Sequence, residues 1–365
     1  MHKKRILIVT SEFPPQPGGI GNHAYYLALY LTKNNYDVRV IADQRAVVHT
    51  EEIAFDAALP FAVQRIALQA PRFLMYFNRV VKTLSGFKNS DYVIATGKFS
   101  LWNVAFCSLF YKRYKLAVIH GSEVNFKSAG LKQSIAISLK QFETVVAVSH
   151  YTKGLVSGLN LTVSVIPNGI DLEKWQLEHS EKADLKGYPV LTTVGRVSSR
   201  KGQLEVIKLL PELLKTYPDA QYHCVGIPSE ADSFLETAGV LGVAEHVVFH
   251  GALSDAALQG VLRASDVFVM LSTESSTGDV EGFGIAILEA NALGIPAIGS
   301  KNCGIEDAIQ DGVSGLLVDR RDASAFCRHI TNVLAEPAGY KKQARAWAEQ
   351  HDWNQIIKRY IAFVS

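Results

Sequence analysis

Two glutamates, spaced eight residues apart, are the first candidates for chemistry in this chain. Glu281 and Glu289 lie in GDVEGFGIAILEA, residues 278–290, with only small or apolar residues between them. Paired carboxylates are typical of acid/base catalysis, of a metal site or of a site that recognises hydroxyl groups. Each of the three classes of site requires different neighbouring residues, so the other motifs of the chain indicate which class applies.

The segment between the two glutamates predicts the start of a helix. Phe283, Gly284 and Ile285 begin an apolar run, and a helix N-terminus offers free amides and a favourable dipole to negative charge. The pattern therefore predicts phosphates on backbone amides and hydroxyl groups on the carboxylates. A metal site that uses Asp279 and Glu281 is the alternative, because Mg²⁺ often binds through one or two carboxylates plus phosphates.

Two cations follow a predicted strand in VGRVSSRKG. Arg196 and Lys201, flanked by Gly195 and Gly202, combine a forked and a point-like positive charge, which suits the two phosphates of a diphosphate leaving group. The spacing is not that of a P-loop, because Gly202 follows Lys201 and no Ser or Thr completes the motif. Solvated surface charge is the alternative for such residues.

In the first half of the chain, His120 ends a predicted strand in VIHGSEV, at the edge of a parallel sheet where ligands bind. A structural role is the alternative for a lone histidine. Near the N-terminus, the amides of Gly18 and Gly19 can approach a phosphate or a sugar hydroxyl at the start of a helix expected near Asn22.

A dinucleotide fingerprint in the same loop is a competing interpretation. The sequence from Gly19 to Ala24 fits GxGxxA, and Asp43 lies near the position of a ribose-binding acid. The fingerprint requires a tight turn directly after the strand, but SEFPPQP intervenes, and its prolines oppose that turn. The hypothesis that the chain is a nicotinamide-dependent enzyme therefore depends on this glycine pattern alone.

The elements that position these residues form two consecutive series of strands and helices. At 365 residues the chain exceeds one ordinary core, and two runs of buried strands are separated by the polar segment 172–189. This pattern predicts two doubly wound α/β domains that face each other, residues 1–171 and 172–351. Loops at the carboxyl ends of the strands are then the place for chemistry.

Composition narrows the class of protein. The four cysteines have no metal-binding spacing and are expected to be free thiols in a reducing cytosol, and no apolar run is long enough to span a membrane. Residues 1–170 carry 19 Lys/Arg and 9 Asp/Glu, a balance of +10, whereas the remainder carries 18 and 26, a balance of −8. A basic half suggests an anionic partner, with scattered solvated charge as the alternative.

The ordered set of motifs resembles one enzyme family. FPPQPGGIGNH, HGSEV, VSxxT from Ser149, IPNGID, GRVSSRKG and EGFGIAILEA together are similar to the retaining glycosyltransferases of family 4, which have the GT-B fold and use nucleotide-diphosphate sugars. The GDVEGFG context is most similar to the phosphatidylinositol mannosyltransferase branch. The resemblance also implies that a C-terminal helix, about residues 352–365, packs back on the first domain.

The resemblance implies a role for each matching residue. Glu281 would bind the donor sugar, with the backbone of Phe283, Gly284 and Ile285 nearby, and Glu289 would bind the ribose. Arg196 and Lys201 would hold the diphosphate, and His120 would contact the sugar near its reacting carbon. The remaining implied positions are Gly18 and Gly19 for the phosphate and acceptor region, Gly195 for the donor, Leu253 for the base, Ser149 in a supporting role through its motif, and Asn168 for the hinge and cleft.

These roles imply a hexose transfer with retention of configuration and without a metal or other cofactor. The expected partners are a UDP- or GDP-sugar and a glycan or lipid-linked acceptor, with no nucleic acid. A GT-B protein that binds a sugar nucleotide without catalysis is the alternative, and the intact set of site residues argues against it.

Residues 71–88, PRFLMYFNRVVKTLSGFK, extend the prediction to the acceptor. Basic and aromatic residues in one amphipathic stretch are typical of a helix that lies on an anionic bilayer. We expect a cytoplasmic enzyme that docks on the inner face of the membrane. A buried helix with a solvated basic edge is the alternative.

Overall fold

The computed structural model describes residues 3–175 and 181–365. The chain divides into two compact units. The first comprises Met1–Asn168 together with Trp353–Ser365, and the second comprises Gly169–Asp352. The predicted linker, residues 172–189, therefore lies within the second unit; its residues 176–180 are outside the described part of the chain.

The first unit is built on a parallel sheet of seven strands among its described residues, in the order β3-β2-β1-β4-β5-β6-β7. The strands are β1 (Arg5–Thr10), β2 (Asp37–Asp43), β3 (Ala62–Ile66), β4 (Tyr92–Thr96), β5 (Tyr114–Ile119), β6 (Thr144–Ala147) and β7 (Val163–Val165). The central strands are almost wholly buried, as their unbroken apolar sequences predict. The edge strand β3 was not predicted, because its residues alternate between exposed and partly buried.

Helices cover this sheet. In the first part of the chain they are α1 (Gly19–Lys33), α2 (Thr50–Ala57), α3 (Arg72–Lys88), α4 (Lys98–Cys107), α5 (Ala129–Leu139) and α6 (His150–Gly154). A core cluster joins strand residues such as Leu7 and Val93 to Phe87 of α3 and Leu101 of α4. Helix α1 begins at Gly19, three residues before the predicted start near Asn22.

The second unit repeats the plan with six parallel strands in its described part, in the order β10-β9-β8-β11-β12-β13. The strands are β8 (Val190–Val194), β9 (Gln221–Val225), β10 (Val247–Gly251), β11 (Val267–Met270), β12 (Ala297–Ser300) and β13 (Gly315–Val318). The helices are α7 (Gln203–Leu213), α8 (Ala231–Val240), α9 (Asp255–Ala264), α10 (Ile285–Ala292), α11 (Ala323–Ala335) and α12 (Pro337–Gln350). Together, the two parallel-sheet units confirm the predicted α/β class with two Rossmann-like domains.

The last helix, α13 (Trp353–Val364), belongs to the first unit and packs on α1. Its apolar face buries Trp353, Ile356, Ile357 and Tyr360. Among the described helices, none is long and apolar enough to cross a membrane.

Strand order locates the binding edge of each sheet. In the second unit the order reverses between β8 and β11, which are paired neighbours. Ligands of open parallel sheets bind outside the carboxyl ends of the strands at such a switch point. The loops that follow β8 and β11 contain the motif cations and Glu281, respectively.

Candidate donor-binding site

A cluster of three charged side chains lies at the switch point of the second unit. The Lys201 Nζ and the Arg200 Nη1 lie 2.6 Å and 2.7 Å from the same oxygen, Oε2 of Glu281. The three side chains are mostly buried, with 13% exposure for Glu281. The structure therefore brings together two residues that the sequence predicted, and it adds Arg200.

The charges of the cluster fix the ionisation of Glu281. Burial by itself would raise the pKa of this carboxyl, but the charges and hydrogen bonds of Lys201 and Arg200 outweigh it and hold the pKa at about 2. Glu281 is therefore an acceptor of hydrogen bonds and not a proton donor at neutral pH. The cluster keeps one net positive charge, which suits a site for an anion.

Arg200 is the functional candidate that sequence reasoning missed in this motif. It directly precedes Lys201, and the doubled cation in SSRKG is the only sequence signal for it. The pairing depends on the contact between two loops, in which the Thr273 amide donates to the Arg200 carbonyl at 2.8 Å. A tertiary contact of this kind cannot be predicted from the spacing of residues in one loop.

A glycine makes this contact between loops sterically feasible. Gly202 has a φ of +82°, and a Cβ at this position would lie 2.0 Å from the carbonyl oxygen of Leu271, directly after β11. Only glycine combines the left-handed conformation with such a close approach. Gly195, at the end of β8, lies against the Lys201 side chain, where a Cβ would come within 3.2 Å of Lys201 Cε.

Arg196 differs from the two paired cations. Its side chain is exposed, and it forms no hydrogen bond or ion pair with any described residue. Its carbonyl oxygen accepts a hydrogen bond from the buried Gln203 side chain at 3.2 Å, which fixes the backbone of the loop. Arg196 is therefore held at its backbone while its guanidinium stays available to a ligand.

The helix that follows Glu281 begins where the sequence predicts. Gly284 is the N-cap of α10 with a φ of +90°, and Ile285 is the first helical residue. Phe283 is buried, and its ring lies 6.1 Å from that of His351. The first amides of α10 thus follow directly after the charged cluster, as an anion site at a helix N-terminus requires.

Glu289 lies in the last part of α10 and has a different environment. Burial raises its pKa to about 7, while the charges of Lys174 and Lys201 lower it and Asp255 raises it. Its carboxyl group has no hydrogen-bond partner among the described residues. Leu253, the predicted base contact, is half-buried in the loop between β10 and α9, two residues before Asp255.

The contacts of Glu281 are relevant to the metal site at Asp279 and Glu281, which the sequence left open as an alternative. Glu281 Oε2 pairs with both Lys201 and Arg200. The positive charges of these two side chains would repel a metal ion at the same oxygen. In the described part of the chain, no three His, Cys, Asp or Glu side chains are grouped so that they could hold a metal.

In the first unit, His120 lies directly after β5 and is buried. Its Nε2 lies 2.8 Å from the hydroxyl of Thr96, and burial lowers its pKa to about 3, so the imidazole is neutral. Its backbone amide donates to the Glu123 carboxylate at 2.5 Å. A neutral imidazole can accept a hydrogen bond from a sugar hydroxyl or donate one to it.

Two further residues that the sequence reasoning missed connect His120 to the C-terminal helix: His23 lies against His120, and Tyr360 contacts His23. The His23 ring is 5.0 Å from that of His120, and its Nε2 lies 3.0 Å from the hydroxyl of Tyr360 in α13. His23 is the last residue of GGIGNH, but the sequence gives no signal for the tertiary contact with α13. This packing connects the C-terminal helix to the predicted catalytic histidine.

The remaining predicted residues of the first unit lie at the starts of helices α1 and α6 and in the loop after β7. Gly18 caps α1, and a Cβ there would lie 2.6 Å from a Glu12 oxygen, whereas Gly19 has open space beside it. Ser149 is buried and caps α6 by accepting from the Thr152 amide at 3.0 Å. The buried Asn168 has an Oδ1 without a partner in the described residues.

The acid of the dinucleotide fingerprint has another partner. Asp43 is buried and forms a two-point ion pair with Arg79 of α3, with a shortest distance of 2.5 Å. A carboxylate held in this way is not available to a ribose. The contact therefore removes the ribose-binding acid from the dinucleotide fingerprint.

Comparisons with known proteins agree with the motifs. The family model of glycosyl transferases group 1 matches residues 176–351, and that of Glycosyltransferase Family 4 matches residues 17–174.

Two curated relatives are GDP-mannose-dependent alpha-(1-6)-phosphatidylinositol monomannoside mannosyltransferases. The protein of Mycolicibacterium smegmatis is 30% identical over 64% of this chain and 65% of its own length. That of Mycobacterium tuberculosis H37Rv is 27% identical over 99% of this chain and 98% of its own length.

A solved structure shares the fold. Anabaena HepE, determined in complex with UDP, superposes with a TM-score of 0.78 at 20% identity and covers 99% of both chains. The matches confirm the predicted resemblance, including its phosphatidylinositol mannosyltransferase branch. The two family models together account for nearly the whole chain, which is a family 4 glycosyltransferase with the GT-B fold.

Proposed function

We propose that this enzyme transfers a hexose from a nucleotide-diphosphate sugar to a hydroxyl group of a lipid-linked acceptor, and that GDP-mannose is its first candidate donor. The observation that supports the proposal is the Lys201–Glu281–Arg200 cluster at the switch point, directly before the N-terminus of α10. The named activities of the mannosyltransferase relatives support the choice of donor and acceptor class.

The proposed chemistry is a substitution on one face of the sugar. The bond from the anomeric carbon to the diphosphate breaks, the bond to the acceptor oxygen forms on the same face, and the acceptor proton passes to the departing diphosphate. Lys201, Arg196 and the amides of α10 would oppose the charge that develops on the diphosphate. Glu281 would hold sugar hydroxyls, and the neutral His120 would contact the sugar near its reacting carbon.

We expect the reaction to proceed with retention and without a metal. Labelled GDP-mannose and UDP-glucose, a glycolipid acceptor and NMR of the product would measure both the transfer and the anomeric configuration. EDTA should leave the rate almost unchanged, because protein cations replace the metal at the diphosphate. Loss of activity in EDTA with recovery in Mg²⁺ would contradict the metal-free mechanism, and an inverted product would contradict retention. A lack of transfer alongside donor binding would favour a non-catalytic sugar-nucleotide-binding protein.

The raised pKa of Glu289 predicts a pH dependence of donor binding. A carboxyl with a pKa of about 7 is partly protonated at neutral pH, and only its ionised form accepts two ribose hydrogen bonds. Affinity for GDP-mannose should therefore rise from pH 6 to pH 8 by up to about tenfold and then level off. Calorimetry would measure it, with Glu289→Gln as the variant that should lose the dependence. A flat wild-type profile would contradict ribose recognition by Glu289.

The raised pKa of Glu289 also makes the stability of the folded state depend on pH. Since the folded pKa of Glu289 lies above the ordinary value, the folded state retains this proton between about pH 4.5 and pH 7. The contribution of Glu289 to stability therefore falls as pH rises through that window. Glu281, with its lowered pKa, contributes stability above about pH 4.5 and loses it toward pH 2.

The proposed membrane contact involves three neighbouring helices of the first unit. Helices α3, α4 and α5 contain no acidic residue, and α4 contacts both of the others. Phe73 and Phe77 of α3 are each 64% exposed, and Phe99 and Phe106 of α4 are also exposed. Exposed aromatic residues with a basic background suit the headgroup region of an anionic bilayer.

The structure corrects part of the predicted membrane-facing set in residues 71–88. Arg79 is buried in its ion pair with Asp43, and Phe87 lies in the core. The hydrophobic periodicity of α3 places these two residues on the side that packs on the sheet. Arg72 and Lys88 remain as the exposed cations of this helix, whereas the half-buried Lys82 donates from its Nζ to the Arg65 carbonyl oxygen at 3.2 Å.

Replacing Phe73 and Phe77 by Ser should weaken binding to anionic vesicles, because both rings would leave the bilayer interface. Co-sedimentation with phosphatidylglycerol and phosphatidylcholine vesicles at low and high salt would measure it. Val240→Ser, at an 88% exposed position of the second unit, is the matched control. Equal binding of the wild type to both lipids at low salt would remove the membrane proposal and favour a soluble acceptor.

A further inference from the structure

A basic cavity in the second unit has no part in the donor site. Its volume is about 630 Å³, within the range of pockets that hold small molecules. The turn 293–295, directly after α10, lies at one side. The charged residues in its lining are five cations and one acid, namely Lys182, Arg263, Lys341, Lys342, Arg345 and Glu349.

The five cations of the cavity have no ion-pair partner in the part of the chain that the structure describes. Within residues 3–175 and 181–365, none of them forms an ion pair or a side-chain hydrogen bond. The Nε of Arg263, in α9, is buried and has no hydrogen-bond partner in the described structure. An unsatisfied buried donor is unfavourable, and it belongs to a residue that lines the cavity.

Three of the cations lie on one helix. Lys341, Lys342 and Arg345 belong to α12, and the first and last of them are four residues apart. Like charges at this spacing share a helix face and repel each other. An anion that lies between these cations offsets their repulsion, because each cation attracts it, as in a phosphate-binding site.

The cavity is separate from the proposed donor site. Donor phosphates are assigned to the N-terminus of α10, whereas the cavity borders the turn after its C-terminus. An eight-residue helix is about 12 Å long, so a diphosphate cannot occupy both ends. The turn also precedes β12, at the amino edge of the sheet, away from the carboxyl edge where the donor is expected.

We propose that this cavity is a second anion site, which binds a small soluble molecule with two or more phosphate groups. The excess of five cations over one carboxylate favours a ligand with more than one negative charge. A concave cavity of this size encloses a small phosphate ester, whereas a flat bilayer cannot enter it. Arginine supplies paired donors to phosphate oxygens, and the lysines supply point charges.

The test uses the full chain and inorganic tripolyphosphate as the probe, titrated by calorimetry with and without saturating GDP. We expect binding in both conditions, because the two sites are independent. The double substitution Lys342→Glu and Arg345→Glu should weaken binding of the probe at least tenfold. Both side chains are exposed, so the fold should tolerate the change.

A matched control is the pair Lys186→Glu and Arg321→Glu, two exposed cations outside the cavity. This variant has the same net charge, and it should bind the probe as the wild type does. Complete competition by GDP, or equal weakening in the two double variants, would overturn the proposal. Loss of anionic-vesicle binding in the cavity variant, without binding of the soluble probe to the wild type, would assign the cations to a lipid surface instead.

Discussion

Lys201→Ala should lower kcat by about one hundred-fold or more while the affinity for GDP changes much less. The reason is that the diphosphate gains charge as the sugar departs, and a fixed cation beside it stabilises the transition state more than the bound donor. Arg196→Ala should act in the same direction. Its guanidinium is exposed and has no partner among the described residues, so its loss disturbs no internal ion pair.

The control for this prediction is Lys208→Ala. Lys208 is an exposed cation of α7 that pairs with Glu205 at 2.8 Å, and it belongs to the same unit as Lys201. Steady-state kinetics would give kcat, and calorimetry would give the dissociation constant of GDP. If Lys201→Ala and Lys208→Ala had the same kcat, the proposed role of Lys201 at the leaving group would be wrong.

Glu281→Gln should nearly abolish turnover while GDP binds as well as in the wild type, or more tightly. The carboxylate is the shared partner of Lys201 and Arg200, so its removal frees two cations for the diphosphate. Turnover should fall because the sugar loses the acceptor that orients its hydroxyl groups. Glu289→Gln should do the opposite, with weaker nucleotide binding and a smaller loss of kcat, because the ribose is remote from the reacting carbon.

Folding must be verified separately for Glu281→Gln. Removing one member of a buried ion pair leaves charge without compensation, which can destabilise a protein by about 3–5 kcal/mol. Thermal unfolding would detect this loss, and kinetics would be measured at a temperature where the variant stays folded. Equal losses of GDP affinity in the two variants would contradict the assignment of Glu281 to the sugar and Glu289 to the ribose.

The sequence predicted most of the sheet because buried parallel strands have a strong local signal. Apolar runs such as DVRVIAD and VLTTV contain the observed strands β2 and β8. The start of α10 was predicted because Gly284 interrupts the backbone before an apolar helix. The edge strand β3 was not predicted from the sequence, because a half-exposed strand lacks the continuous apolar run of its neighbours.

Pairings between distant charges could not be predicted from one sequence. Arg200 reaches Glu281 across 81 positions, and Arg79 reaches Asp43 across 36. In both cases the partner is selected by which loops or elements meet, and not by a local pattern. For that reason the sequence identified Lys201 and Glu281 individually, while their common ion pair, the pKa of Glu281 and the burial of Arg79 emerged only from the fold.

The most direct test of the central claim is a thermal-unfolding panel with GDP-mannose, UDP-glucose, ADP-glucose and NADH. A ligand at one hundred times its dissociation constant should stabilise the folded enzyme by about 2.7 kcal/mol. We predict stabilisation by GDP-mannose or UDP-glucose and none by NADH, with the effect of the sugar nucleotide reduced in Glu289→Gln. Stabilisation by NADH alone would contradict the proposal that this glycosyltransferase transfers a hexose from a sugar nucleotide.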